Sequence, residues 1–428
     1  MLLGLAACSA NVSRPPQSAN SLVPTDSGDS AAAEPITVPT LEVTQLEDGL
    51  SAIRFEGDSG FDQFLAQGGA ASDGGVAQYL TSLVKENISL GDLLFGCSTI
   101  SVQNTEGGYL FGRNFDWEPC NAMIVQSAPE SGYKSVSTVN TDFIGMSGVD
   151  LSQLPDKFQA LICLYAPLDG MNEKGLAVSV NMIQDSATID QNTGKPGLTT
   201  TTAIRLLLDR AATVNEALDL LAQYDMHASM GYMMHFAIAD NTGRSVVVEW
   251  VNNEMVVVET PIVTNFYMAE GKKNGIGTAQ SHERYDILID TLSNHKTMNQ
   301  EEVRDALDSV SKDNFGEFES TEWSVVFDLE NLTARYYHRE NHAENYTFQL
   351  YYKLSYIEQI EIIAGTRKAQ TPRAHEPGPN EEISDEEAAE NAGLRFPALQ
   401  LLSPGFCKGW HRREQYPHRA SDHAPCDG

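Results

Sequence analysis

Residues 232–266 read YMMHFAIAD, NTGR, SVVVEWV, NNE and MVVVETPIVTNF. Three apolar runs rich in β-branched residues are separated only by clusters of Asn, Thr, Gly and Arg. Connections this short join antiparallel neighbours, whereas a parallel pair needs a crossover of roughly a dozen residues or more. The stretch therefore reads as a meander and commits this part of the chain to an antiparallel sheet. The same signature recurs. STISVQ and YLFGRNFDW flank Asn104-Thr105-Glu106-Gly107-Gly108, a turn composition that predicts a hairpin. LICLYAPLDGMNEKGLAVSVNMIQ reads as another, turning at Asn172 to Gly175, and WSVVFDLENLTARYYH as a last one around Leu329 to Asn331.

Helical periods lie between these runs. Residues 201–223 give the clearest one, with Ile204, Leu207, Leu208 and Ala211 on one face. Thr213 is placed to cap, and Glu216 three residues on completes a capping-box pattern. A helix is expected over Asn299 to Ser309. Another is expected over Gly75 to Leu94, where Val76, Tyr79, Leu80, Leu83 and Val84 recur at helical spacing. Hairpins with helices grouped between them favour an α+β fold, two stacked antiparallel sheets flanked by helices, over a doubly wound parallel one.

The charge balance restricts the partners. With 28 Lys and Arg against 59 Asp and Glu, the formal net charge is −31. The clustered cations that a phosphate backbone requires are missing, which excludes nucleic acid. The six cysteines, Cys8, Cys97, Cys120, Cys163, Cys407 and Cys426, form no CxxC pair and no disulfide framework. His338 and His342 stand four apart, but in a strand-and-turn context that spacing makes no single ligating face. The sequence calls for no metal and no organic cofactor.

The ends differ from the middle. Leu5-Ala6-Ala7-Cys8 looks like a bacterial lipobox, although it lacks the basic opening and the roughly 7–15 apolar residues of a full secretory signal. We read residues 1–8 as a truncated lipoprotein-type signal. It places the protein outside the cytoplasm, with a lipid on Cys8 as its one membrane contact. Residues 9–39, rich in Ser, Pro, Ala and Thr, read as a flexible linker. Residues 40–96 read as a pre-segment or propeptide, 97–364 as the main domain, and the charged, Pro-rich 365–428 as a disordered tail of doubtful origin.

One thiol stands apart. In FGCSTISVQNTEGGYLFGRNFDW, residues 95–117, Cys97 directly follows Gly96, and Arg113 and Asp116 return beside it across the predicted hairpin. A cysteine in an apolar run is ordinarily a small core residue. Cys163, amid Leu161-Ile162 and Leu164-Tyr165, is read that way, and Cys120 as structural. An Arg and an Asp three residues apart are ordinarily a surface pair. Both of them on the strand that returns to Cys97 point instead to a nucleophile.

The motifs GCST, GRNFDW, MNEKGLAVSVN, the TN of IVTNF, SHERYDIL and TEWSVVFDLENLT follow one another within residues 92–350. Together they resemble the N-terminal-nucleophile hydrolases of the choloylglycine hydrolase and penicillin V acylase family. The resemblance implies an αββα sandwich and hydrolysis of linear, non-peptide C–N amide bonds. The partner it implies is a small-molecule N-acyl amide of bile-salt, penicillin V or N-acyl amino acid type. The long pre-segment departs from the bile-salt enzymes and weakens that substrate. The resemblance further implies autocatalytic cleavage between Gly96 and Cys97, Asp116 orienting the new α-amine, Arg113 beside the thiolate, and Arg284 as a second arginine near it. It places the oxyanion hole at the Asn265 side chain and at the backbone N–H of Asn181, with Met182 standing at the spacing the family leads one to expect. Two alternatives stay open: an acyltransferase using the same thioester, and a catalytically silent tethered ligand-binding protein. Association into a homo-oligomer is left open as well.

Independent of any resemblance, the chemistry asks for cleavage. A thiol with pKa about 8.5 needs an adjacent base to supply thiolate at neutral pH. An α-amine titrates near 7.7–8.0 and can take that proton from within the same residue. A peptide nitrogen cannot, because its lone pair is delocalised into the carbonyl.

Overall fold

The meander forms as its spacing predicts. In the computed structural model, which describes residues 35–85, 88–90, 96–146, 151–312 and 320–350, Met234–Ala239, Ser245–Val251 and Glu254–Glu259 run antiparallel, with Val248 opposite both Phe236 and Val257. They close one edge of a nine-stranded sheet. From its other edge that sheet runs Thr44–Glu47, Leu50–Gly57, Ala122–Pro129, Ser135–Asn140, Asp169–Asn172 and Ala177–Met182 before reaching them. A seven-stranded sheet is built on the predicted hairpin, Gly96–Asn104 with Tyr109–Trp117. Ser320–Asp328, Thr333–His338 and Tyr346–Gln349 extend it on one side, and Ile262–Val263 and Thr297–Met298 pair on the other. Cys8 and its lipobox, linker residues 9–34, Cys407, Cys426 and the tail 365–428 lie outside the described residues.

Alternation along Gly96–Asn104 sets the layers. Cys97 points into the core that both sheets share, while Ile100 and Val102 meet Leu288 of helix Ala279–Asn294 and Val303 and Leu307 of helix Gln300–Asp308. Strand Ala177–Met182 faces Gly96–Asn104 across the middle, and helix Thr200–Arg210 packs on Asp169–Asn172 and Ala177–Met182. Helix, sheet, sheet and helix follow in that order, the αββα arrangement that the hairpins and helices predict.

Three segments differ from expectation. The predicted helix 75–94 is Asp73–Val84, capped by the Ser72 hydroxyl accepting from the Gly75 N–H. It stops where Lys85 turns left-handed (φ 62°), and Ile88–Leu90 then pairs as a strand with Ile144–Met146. Residues 91–95 lie outside the described residues. The predicted helix 201–223 is two, Thr200–Arg210 and Val214–Leu221. Thr213 does cap Glu216 N–H at 3.2 Å, but the Glu216 carboxylate turns to Ala212 N–H at 2.7 Å, so only half of the box forms. Leu161 to Cys163 end helix Asp156–Cys163, and the hairpin begins only at Asp169. A short apolar run reads alike as buried helix or strand, which is why periodicity misplaces this one.

Residues before Cys97 are woven into the same architecture. Leu50–Gly57 runs parallel to Ala122–Pro129 in unbroken register from Leu50 opposite Ala122 to Gly57 opposite Pro129. Phe55, Phe64, Val76 and Leu80 share one buried core with Cys97.

Candidate active site

Cys97 is the second residue of its strand, opposite Phe115, and fully buried. Each of its polar groups is engaged. The N–H donates to Asn265 Oδ1 at 2.9 Å, and the carbonyl accepts from Arg284 Nη1 at 2.7 Å. The sulfur lies 3.2 Å from Arg113 Nη2 and 3.7 Å from the Val180 carbonyl oxygen. Arg113, Asn265 and Arg284 thus touch Cys97 directly, while Asp116 stands opposite Gly96.

The hairpin brings Arg113 to the sulfur, and a polar cage holds it there. Its Nη1 pairs with Asp169, both side chains fully buried, and its Nη2 donates to Val180 O at 2.8 Å. Trp323 closes the cage: it stacks on Phe115 at 4.0 Å between ring centroids and donates Nε1–H to Asp169 at 3.0 Å. The guanidinium carbon sits 5.4 Å from the Phe115 ring centroid, in cation–π range. Sequence reasoning missed Asp169; inside LICLYAPLDGMN it reads as a strand residue, and its one signal is an acid in an apolar run. Trp323, buried in its strand, belongs to this cage.

Arg284 gathers the other side. Its helix begins at the Thr278 cap, and the guanidinium turns inward, only 6% of the residue being exposed. It donates to Cys97 O, to Ser98 Oγ at 2.5 Å and to Asn265 Oδ1 at 2.8 Å, and lies 3.3 Å from Asp116 Oδ2. The other Asp116 oxygen accepts from Thr321 Oγ1 at 2.8 Å. Asp116 borders Gly96 more closely than the thiol: a Cβ on Gly96 would stand 3.3 Å from Asp116 Oδ2 and 3.2 Å from Lys312 Nζ.

Two positions differ from the family-based expectation. Asn265 presents its oxygen, not its amide hydrogens, to Cys97, and its Nδ2 donates to Met182 O at 2.7 Å. Asn181 places Nδ2 3.4 Å from Thr99 Oγ1. Its main chain faces away from the site, for a reason of strand geometry. Ile183 N–H bonds Met233 O and Asn181 lies opposite His235, so the alternation of the ladder turns residues 181 and 183 to the neighbouring strand, while the carbonyls of Val180 and Met182 reach the Cys97 sulfur and Asn265 Nδ2. The main chain of Met182, not of Asn181, therefore faces the site.

Burial dominates the electrostatics. It pushes the Cys97 thiol up to about 12; Arg113 and Arg284 pull the other way without offsetting it, and Asp116 and Asp169 add to the rise. With the Gly96–Cys97 bond intact, the thiol is protonated at neutral pH. A small cleft of about 50 Å³ opens beside the site between Gly96, Met182, Gln184, Gln280 and Lys312. A second crevice, of about 20 Å³, is walled by Phe143, Ile144, Leu168 and Met230 together with Asp73, Thr201 and Ser229. His338 and His342 face different carboxylates, Glu47 at 3.3 Å and Asp308 at 3.2 Å.

Residues 164–343 match the model of the acyl-coenzyme A:6-aminopenicillanic acid acyl-transferase family. Over this span the chain is similar to that family. The matched span holds Asp169, Asn181, Asn265 and Arg284, whereas Cys97, Arg113 and Asp116 precede it. Among solved structures, two mutants of the conjugated bile acid hydrolase of Clostridium perfringens are each 17% identical over 59% of this chain and 92% of theirs, with TM-scores of 0.44 and 0.43. Penicillin V acylase from Agrobacterium tumefaciens is 17% identical over 56% and 83%, with a TM-score of 0.38. Likeness this distant decides nothing about substrate.

Proposed function

We propose that the chain is a cysteine-nucleophile amidase that cuts itself between Gly96 and Cys97 and then hydrolyses the C–N bond of a linear N-acyl amide. One observation carries the reading: the nitrogen, the oxygen and the sulfur of Cys97 are each held by a different residue that the motifs single out, Asn265, Arg284 and Arg113.

In the self-cleavage step the sulfur adds to the Gly96 carbonyl and the peptide C–N bond breaks. The acyl group passes to sulfur and a proton to the nitrogen, which becomes an α-amine. Water then releases Gly96 as a carboxylate and restores the thiol. The new amine, held by Asn265 Oδ1, takes the thiol proton, and Arg113 favours the thiolate so formed. Asp116 and Arg284 orient the terminal residue. The thiolate adds to the substrate carbonyl, and the oxyanion is assigned to Asn265 Nδ2, released from Met182 O, and to the main chain at Met182. Collapse expels the amine with the proton from the α-ammonium. Water hydrolyses the thioester, the α-amine serving as base, and the acid departs. The lipobox at Leu5 to Cys8 supports an extracytoplasmic, lipid-anchored protein.

Acyl transfer is the second reading, favoured by the name of the matching family. In it an amine, rather than water, receives the acyl group from sulfur. Both reactions need a chain that starts at Cys97. N-terminal sequencing and intact mass of purified protein are expected to show that terminus, and a single species with residues 40–96 still fused to Cys97 would leave only the silent binding protein. Assay of the cleaved protein on a glycine-conjugated bile salt, penicillin V and an N-acyl amino acid, with and without added amine, then separates hydrolysis from transfer.

A further inference from the structure

Behind the residues that touch Cys97, a buried acid–base pair clamps the segment that carries Asn265. His235 and Glu249 lie on adjacent strands, Met234–Ala239 and Ser245–Val251, and neither is exposed. His235 Nδ1 stands 3.1 Å from Glu249 Oε1. The other ring nitrogen, Nε2, stands 2.8 Å from the carbonyl oxygen of Thr264, the residue before Asn265. Glu249 in turn accepts the N–H groups of Met268 and Ala269, each at 2.8 Å. Burial raises its carboxyl, but the bonds from His235 and these two main-chain donors outweigh that and hold it below the ordinary carboxylate range. The segment 264–269 is thus pinned on both sides of Asn265 by one pair. On the other flank, Asn181 is opposite His235 in register, so the pair continues a polar row that reaches the strand facing Cys97.

A loop that needed only to be packed would be served by apolar side chains, because taking polar groups out of water is costly and replacing buried polar or ionic pairs by apolar residues is often neutral or stabilising. What apolar residues cannot do is fix the direction of a main-chain carbonyl and two N–H groups at once. Direction matters here, since Asn265 Oδ1 must stay on the Cys97 nitrogen. We propose that His235 and Glu249 are positioning residues for Asn265, and through it for the α-amine of Cys97. The inference rests on the reading of Cys97 as the nucleophile.

The test compares wild type with His235→Phe, which fills the space without donors, His235→Gln, whose amide can still donate to Thr264 O, and Glu249→Gln. Self-cleavage is followed by intact mass and needs no added substrate. On cleaved protein kcat and KM are measured with whichever of the bile salt, penicillin V or N-acyl amino acid the wild type turns over. In His235→Phe, kcat and the cleavage rate are expected to fall about tenfold or more with KM within about twofold, the pattern of an interaction lost from the reacting state. His235→Gln should recover most of that loss. Wild-type cleavage and kcat in a folded His235→Phe would overturn the inference and leave the amidase standing; a wild-type chain that is never cleaved would overturn both. Should His235→Phe fail to fold, Glu249→Gln decides, with a several-fold fall in kcat at constant KM expected and an unchanged kcat overturning the assignment.

Discussion

Arg113 Nη2 stands 3.2 Å from the Cys97 sulfur, and the same guanidinium is anchored through Nη1 by Asp169. Because both charges are fully buried, removing one strands the other in the core, a loss of about 3–5 kcal/mol. Asp169→Asn is therefore expected to lower the urea midpoint strongly. Trp323→Phe removes no charge: it loses the Nε1–H bond, worth about 1 kcal/mol, and leaves a small cavity, so its cost is expected to be the smaller of the two. Equal effects of the two substitutions would contradict the cage.

Burial pushes two thiols, Cys97 and Cys163, up to about 12. An unfolded thiol titrates near 8.5. Below that pH both forms of the chain keep these protons. Above it the unfolded chain loses them first, so stability is full at low pH and declines as pH rises from about 8.5 toward 12. The limiting slope is about 1.4 kcal/mol per pH unit for each thiol. Urea melts between pH 8 and 10.5 should show the decline, and Cys163→Ala should flatten it. An unchanged slope in that variant would show that Cys163 is not held protonated by the fold.

The hairpin of residues 96–117 is legible because its turn is written in Asn, Gly and Gly, and a hairpin fixes which residues return beside Cys97. Arg284 is legible only through resemblance. On the chain it sits in SHERYD, whose charges read as a solvated helical face, and nothing local records that its guanidinium turns inward to four acceptors. Asp169, His235 and Glu249 are harder still. Asp169 heads a short strand and the other two lie inside apolar ones, and their nearest partners are 56, 14 and 14 residues away, set by sheet register rather than by local pattern. The same limit explains the helix that ends at Cys163: a run of Leu, Ile and Cys carries no period long enough to choose.

Gly112 is a position where the chain tolerates no side chain. A Cβ there would stand 2.7 Å from Val303 Cγ1 and 3.0 Å from Ile100 Cγ2, so helix Gln300–Asp308 reaches the sheet over a bare backbone. Gly112→Ala is expected to cost about 1–3 kcal/mol as an overpacked core. Adding Val303→Ala removes the nearer contact and should recover part of that loss in the urea midpoint. A double variant no more stable than Gly112→Ala would place the strain elsewhere.

Cleavage at Gly96 would cut the covalent link between the strands before Cys97 and the rest of the sheet, yet the structure gives the released piece no easy exit. Leu50–Gly57 is hydrogen-bonded along its whole length to Ala122–Pro129. Phe55, Phe61, Phe64, Val76 and Leu80 are buried in the common core, each such side chain contributing roughly 1.5–3 kcal/mol. Dissociation would expose all of them together and strip the strand Ala122–Pro129 of one neighbour. The pre-segment is therefore expected to remain as a noncovalent light chain: one peak by native size exclusion, two masses after denaturation. A heavy chain starting at Cys97 that elutes alone, folded and active, would show that the parallel strand is dispensable once the bond is cut.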